Sequence, residues 1–222
     1  MYKKLYVYCF KGGKCLLGGE FADVEPVGVP TITVSVPPGM LRRVNESMRI
    51  RQHLSDTEVT EDVRRALTDC WVAVTNAGGA AGFPFPPVDD DDVAPALERL
   101  VDELHADRCR LLTVVDARGL LGWLVLRRSS DPLITHWGSL HHVQSHPDCR
   151  GEGVGSLLMH HAREIARDEM KVEQLHLAAR AEVGLETFYG RLGRREIGRW
   201  PGALRLAPGD DRDEILMHLE PL

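Results

Sequence analysis

From Met48 onward the apolar positions of the chain change period in a regular way. Met48-Arg49-Ile50-Arg51-Gln52-His53-Leu54 alternates apolar and polar residues, the two-residue period of a strand with one buried face. Ser55-Asp56 with Glu58 then reads as a helix start. Val59, Val63, Ala66, Leu67, Cys70, Trp71 and Val74 fall on one face at helical spacing until Asn76-Ala77-Gly78-Gly79 ends the pattern. That face is read as core packing. A second stripe, Leu97, Leu100, Val101 and Leu104, follows the acidic run 89–92. Consecutive carboxylates suit the positive end of a helix better than they suit a metal, which needs convergent ligands.

Further along, residues 111–116 and 119–127 read as two strands of a hairpin, and residues 137–145 as the next strand. A helix is expected from Gly155 to about Asp168, a strand over 175–179 and a short helix over 185–192. Residues 195–199 and 215–219 read as a closing antiparallel pair. The order is strand, two helices, three strands, helix, strand, helix, two strands, which predicts a mixed α/β domain built on one central sheet.

Composition narrows the classes. A chain of 222 residues with 43% hydrophobic and 27% charged residues is long enough for one well-buried domain and short for two. No apolar run reaches the roughly 18 residues a spanning helix needs, so no membrane association is expected. A formal charge of -6 argues against nucleic acid as a partner and is compatible with a cationic amine. The five cysteines, Cys9, Cys15, Cys70, Cys109 and Cys149, show no paired spacing, which points to a reducing cytoplasm. The first residues, with Lys3 and Lys4 before a short apolar run, make a poor signal peptide. Residues 1–40, with strand-like alternation at 5–10 and 31–36 and a Pro37-Pro38-Gly39 stop, form an extension of unknown role. Met40 and Met48 are both candidate starts of the domain proper, and the domain is assigned to 41–222.

One stretch carries chemistry. Val143-Gln144-Ser145-His146-Pro147 ends a strand, Arg150-Gly151-Glu152-Gly153-Val154-Gly155 is a glycine-rich turn, and a helical pattern begins at Leu157. Glycines let the backbone turn sharply and bring its N–H groups onto a ligand, and the head of the following helix has unpaired donors and a positive dipole end. The arrangement suits a phosphate or diphosphate, to which Arg150 adds a permanent charge. A P-loop fits poorly because Ser156-Leu157, without Lys, follows the last glycine. A dinucleotide fingerprint fits poorly, because its last slot holds Ser156.

Arg150, Gly153 and Gly155 fill the slots of the acyl-CoA loop of the GNAT N-acetyltransferase superfamily, and the strand before them resembles the one that precedes that loop. A second block, Leu175-His176-Leu177 and then Glu186-Thr187-Phe188-Tyr189-Gly190-Arg191-Leu192-Gly193, resembles the family's tyrosine-bearing segment. The loop string around Gly78-Gly79-Ala80-Ala81-Gly82-Phe83 is similar to the tabtoxin-resistance branch, although Ala178 stands where that branch carries an acid, and Arg194-Arg195 stand where an aromatic residue is usual. The resemblance implies a GNAT fold, in which a central mixed, mostly antiparallel sheet is splayed at the acyl-CoA site and flanked by helices.

It also implies acetyl-CoA as co-substrate, no metal, and direct transfer to the primary amine of a small molecule, either a metabolite or an antibiotic-like compound. A non-catalytic acyl-CoA sensor and a protein N-acetyltransferase are the alternatives. Val143, Gln144 and Ser145 would border the pantetheine arm. Arg150, Gly151, Glu152, Gly153, Val154, Gly155 and Ser156 would hold the diphosphate. Tyr189, protonated at neutral pH, would donate to the leaving thiolate. The base is left open between His142 and Glu186. His141 and His142 are adjacent on a strand, so one of them at most is expected to face the cleft. The histidines at 136, 141, 142, 146, 160 and 161 are not expected to converge on zinc. Phe83 and Phe85, in the long loop after the first helix, are candidate walls of the acceptor pocket. A homodimer is left open.

Overall fold

The computed structural model describes residues 8–10, 14–17, 20–22 and 48–222. The chain divides into two units, Met1–Met40 and Leu41–Leu222. In the first, β1 (Tyr8–Phe10), β2 (Lys14–Leu17) and β3 (Glu20–Ala22) form a small antiparallel sheet. The alternation expected at 31–36 and the candidate start Met40 lie outside the described residues.

The second unit is a seven-stranded sheet with helices on both faces. Its strands are β4 (Arg49–His53), β5 (Cys109–Asp116), β6 (Gly119–Arg128), β7 (Trp137–Ser145), β8 (Gln174–Arg180), β9 (Arg195–Ala207) and β10 (Asp210–Leu219), in spatial order β4-β5-β6-β7-β8-β10-β9. All neighbours are antiparallel except β7 and β8. A parallel pair needs a crossover, and α3 (Val154–Asp168) supplies it, which sets the head of α3 at the C-terminal end of β7. The expected order of elements is the one observed, and the expected mixed α/β class holds.

Each face of the sheet has its own core. On one, α3 and α4 (Leu185–Arg191) cover Leu112, Leu124, Leu126, Leu140, Leu175 and Ile215. On the other, α1 (Glu61–Asn76) and α2 (Asp90–Asp102) cover Leu111, Trp123 and Val125. Leu67, Cys70, Trp71 and Val74 of the predicted α1 stripe are buried. The start of α1 differs from the expectation. Residues Asp56–Glu58 form a separate 3-10 turn, and Thr60 caps the helix by accepting from the Val63 N–H. The acidic run works as a capping box, with Asp89 and Asp92 each accepting the other's backbone N–H. No described helix is long and apolar enough to cross a membrane.

The closing hairpin is longer than its hydrophobic pattern suggested. β9 runs 13 residues, to Ala207. Pro201 interrupts the pattern, but β9 is the edge strand, where a missing N–H donor costs no ladder bond.

Gly122 of β6 fixes how closely β7 and α3 approach. A Cβ there would lie 2.5 Å from the Gln144 carbonyl oxygen and 2.7 Å from Val154 Cγ1. Gly122→Ala is expected to destabilise the domain by about 1–3 kcal/mol, the usual cost of overpacking. Chemical denaturation checks the loss, and unchanged stability would show that β7 yields easily at this point.

Candidate functional site

β7 and β8 pair only from Trp137 to Leu140 against Gln174 to Leu177, although both strands continue, to Ser145 and Arg180. Past that point they part and open a cleft of about 1080 Å³. Parted strands leave a row of main-chain donors and acceptors facing the gap, which an extended ligand can pair with.

The opening coincides with a β-bulge. Trp123 of β6 pairs with Gln144 and Val125 with His141, so two residues of β7, His142 and Val143, stand opposite Leu124 alone. His142 takes a φ of 51°, a left-handed conformation that costs a non-glycine residue on the order of 1–3 kcal/mol. The alternation of faces is broken there. Val143 packs with the α3 side of the core, whereas the His142 ring stacks on Trp123 at 5.4 Å and meets Trp71 edge-on at 4.8 Å. His141 pairs opposite Val125 on the same face as His142, and both histidines line the cleft. This corrects the expectation that only one of the pair would reach it.

Burial lowers the His142 pKa to about 4, with smaller contributions from His141 and Arg127, so its imidazole is neutral at pH 7. His141, hydrogen-bonded to Ser139 Oγ at 2.8 Å, is shifted down for the same main reason.

At the other end of the cleft is the glycine-rich turn. Gly151 and Gly153 both have left-handed φ values, 83° and 92°, and Gly153 is the N-cap of α3 with no side-chain cap. The first turn of α3 holds no acid, so its N–H groups present a positive end. Arg150, Gly151, Gly153, Val154, Gly155 and Ser156 all line the cleft, as do Val143, Gln144 and Ser145. These residues fit a diphosphate on the donor chemistry they present.

Glu152 does not join them. Arg118 takes its carboxylate through two hydrogen bonds of 2.7 and 3.1 Å and holds Asp116 as well, which keeps both carboxyls below their usual range. A carboxylate that would repel an anion is thereby drawn away to the β5–β6 turn. Cys149 lines the cleft but is buried, and its thiol is pushed up mainly by that burial, so it is a packing residue rather than a reactive one. The Gln144 side chain is 2% exposed, and neither amide atom has a partner among the described residues.

Tyr189 lines the cleft from α4 at 4% exposure. Burial raises its pKa to about 12 against the opposing charge of Arg194, so the phenol is protonated throughout the physiological range. Phe188 packs beside it at 5.0 Å and sits over the head of α3, where a Cβ on Gly155 would come within 3.1 Å of its ring. Glu186, in the same helix, is half-buried and does not line the cleft.

The two phenylalanines separate. Phe83 meets Trp71 edge-on at 5.1 Å and lines the cleft. Phe85 is 51% exposed and is not part of the lining; its backbone N–H donates to Leu206 of β9 instead. The loop is pinned at several further points. Trp71 Nε1 donates to the Ala81 carbonyl at 2.6 Å, and the Asn76 amide both donates to and accepts from the backbone of Val88.

Sequence reasoning missed a whole wall. Residues 203–206 of β9, Glu214 and Leu216 of β10, and Arg180 of β8 also line the cleft. Proline and glycine breaks hid the first of these. The others alternate with core residues on strands whose buried face was the stronger signal. Gly122 and Trp123, which set the bulge, also carried no motif.

Residues 107–193 match the family described as acetyltransferase (GNAT) domain. No curated protein matches the sequence. Among solved structures, a GCN5-related N-acetyltransferase from Kribbella flavida superposes with a TM-score of 0.61 at 20% identity, covering 80% of this chain and 99% of that one. A ribosomal-protein-alanine N-acetyltransferase from Brucella melitensis gives 0.60 at 21% identity, covering 78% and 99%. A spermidine N-acetyltransferase chimera with Vibrio cholerae sequence gives 0.59 at 15%, covering 78% and 95%. The matched segment, residues 107–193, is similar to the GNAT acetyltransferase domain and contains the parted strands, the glycine-rich turn and Tyr189.

Proposed function

We propose that the protein transfers an acetyl group from acetyl-CoA directly to the primary amine of a small molecule. GNAT domains use acetyl-CoA as co-substrate, and the amide-lined head of α3 with Arg150 offers the donors its diphosphate requires. The observation that carries the reading is that one cleft joins this anion-binding end to a buried, protonated Tyr189 and a neutral His142. A binding module needs the first of these but not the other two.

The parts divide the work. Val143 to Ser145 border the splayed edge on which the pantetheine arm would lie, and Arg150 with the first turn of α3 would hold the diphosphate. Tyr189 Oη donates a proton as negative charge develops on the departing sulfur. The adjacent Arg194 charge, itself buried and lowered to about 10, favours the phenolate that results. His142, neutral and fixed between two indoles, accepts from the attacking amine. Its low basicity suits it to orienting an amine that is already deprotonated better than to stripping an ammonium. Phe83 and the Gly79–Ala80–Ala81–Gly82 backbone narrow the acceptor side, which favours a small acceptor over a protein terminus.

Isotopic acetyl transfer across a panel of amines tests the assignment. Tyr189→Phe is expected to lower kcat by about 10²- to 10⁴-fold, with acetyl-CoA affinity little changed. Equal turnover by the two would remove Tyr189 from the proton path, and coenzyme A binding without transfer to any amine would leave a sensor.

The pH dependence follows from His142. Its folded pKa, about 4, lies below the unfolded value of about 6.5, so the unfolded chain binds the proton first as pH falls. The corresponding stability is present above pH 6.5 and is lost between about 6.5 and 4. His141 and His176, also shifted down by burial, add to the same loss. Denaturation midpoints that decline from pH 7 to pH 5 are expected, together with a His142 ring proton that does not titrate by NMR above pH 5. A His142 titrating near 6.5 would show that the aromatic box is open to water.

A further inference from the structure

The acceptor side of the cleft is unevenly charged. It is lined by Arg180 and Arg205 against one carboxylate, that of Glu214. Arg205 is already compensated, with two hydrogen bonds of 2.7 and 2.8 Å to Asp211. Arg180 is not. It stands directly across the ladder from Glu214, yet among the described residues no carboxylate lies within ion-pair distance of its guanidinium. One terminal nitrogen, Nη2, donates instead to the Gly78 carbonyl at 2.6 Å, which aims the group under the loop that walls the acceptor side.

Nε of the same side chain is buried without a partner among the described residues. Burial pulls the Arg180 pKa down and the neighbouring Arg212 pulls it further, with only Asp210 opposing. A guanidinium partly withdrawn from water, held by one carbonyl and lacking a counter-charge, is an unbalanced arrangement that an oxyanion would complete.

We propose that Arg180 binds a carboxylate of the acceptor, so that the amines acetylated here are amino acids rather than polycations. The inference rests on the transferase reading above and narrows its substrate class. The net charge of -6 favours cations approaching the molecule as a whole, but the lining of the cleft decides which of them are held. A diamine presents like charge to Arg180, whereas an amino acid offers it a carboxylate and leaves its amine free to meet His142.

Matched acceptors test this on the full chain: a series of amino acids, their carboxamides, and diamines of equal length. Wild-type kcat/KM is expected to be about 10- to 100-fold higher for the acids than for the amides, the usual weight of a charge-assisted bond. Arg180→Gln should raise KM for the acids by a similar factor and leave KM for acetyl-CoA and for the amides unchanged, with Arg180→Lys recovering part of the loss. Wild-type enzyme that uses acids and amides equally, or prefers diamines, overturns the proposal whatever the variants do. Calorimetric binding of the same amino acids in the presence of coenzyme A separates the two readings. Acids bound and amides not, without acetyl transfer, would uphold Arg180 and sink the transferase; transfer without acid preference would do the reverse.

Discussion

The site depends on one irregularity, the extra residue that β7 carries opposite β6. A regular strand sends successive side chains to opposite faces and stays paired on both edges. With two residues of β7 facing one of β6, His141 and His142 both reach the same face. Pairing of β7 with its parallel neighbour β8 ends at Leu140, immediately before these residues. The cleft and the orientation of its most buried histidine therefore have one cause. The left-handed backbone at His142 is held by the rings around it, Trp123 beneath and Trp71 at the side, which bury enough apolar surface to offset local strain of a few kcal/mol.

The two ends of the cleft are held in opposite electrostatic states. At the head of α3, main-chain N–H groups and Arg150 present positive potential, and the Glu152 carboxylate within the turn is drawn aside by Arg118. At the bulge, the groups are aromatic or neutral, and burial pushes every histidine there toward its uncharged form. The first end thus suits a charged head group that water and salt also reach, while the other lies where charge is costly. Charges that develop during a reaction are most strongly influenced by fixed dipoles in such a dry region.

The order of elements, both core faces and the glycine-rich turn were legible because each rests on local pattern: period, cap or glycine position. Arg150, Gly153 and Gly155, singled out by the resemblance to the acyl-CoA loop, line the cleft. What stayed hidden depends on pairing between strands. No local signal announces that Gly122 must lack a Cβ to admit the Gln144 carbonyl, or that His142 is the bulged residue. Strand alternation, applied to His141 and His142, gave a wrong exclusion for that reason. Glu152 shows a different limit. It sits within the motif and its backbone helps shape the turn, but its side chain answers to Arg118, 34 residues away in the sequence. The cleft lining on β9 was obscured by Pro201, a residue that argues against a central strand and is harmless on an edge.

In the proposed role of Tyr189 as proton donor, burial and Arg194 act in opposite senses. Burial alone raises the phenol pKa, which secures the proton but makes it harder to give away. A buried cation close by acts in the opposite sense, since it stabilises the phenolate after donation more than the phenol before it. Arg194 stands where the resemblance leads one to expect an aromatic side chain. Its cost is visible in its own lowered pKa, in a buried Nε without a partner and in a single long bond, 3.4 Å, to the Leu175 carbonyl. A guanidinium so poorly served by hydrogen bonds adds little to stability. Its charge beside Tyr189 lowers the phenol pKa against the effect of burial, which on the proposed mechanism would tune the acid.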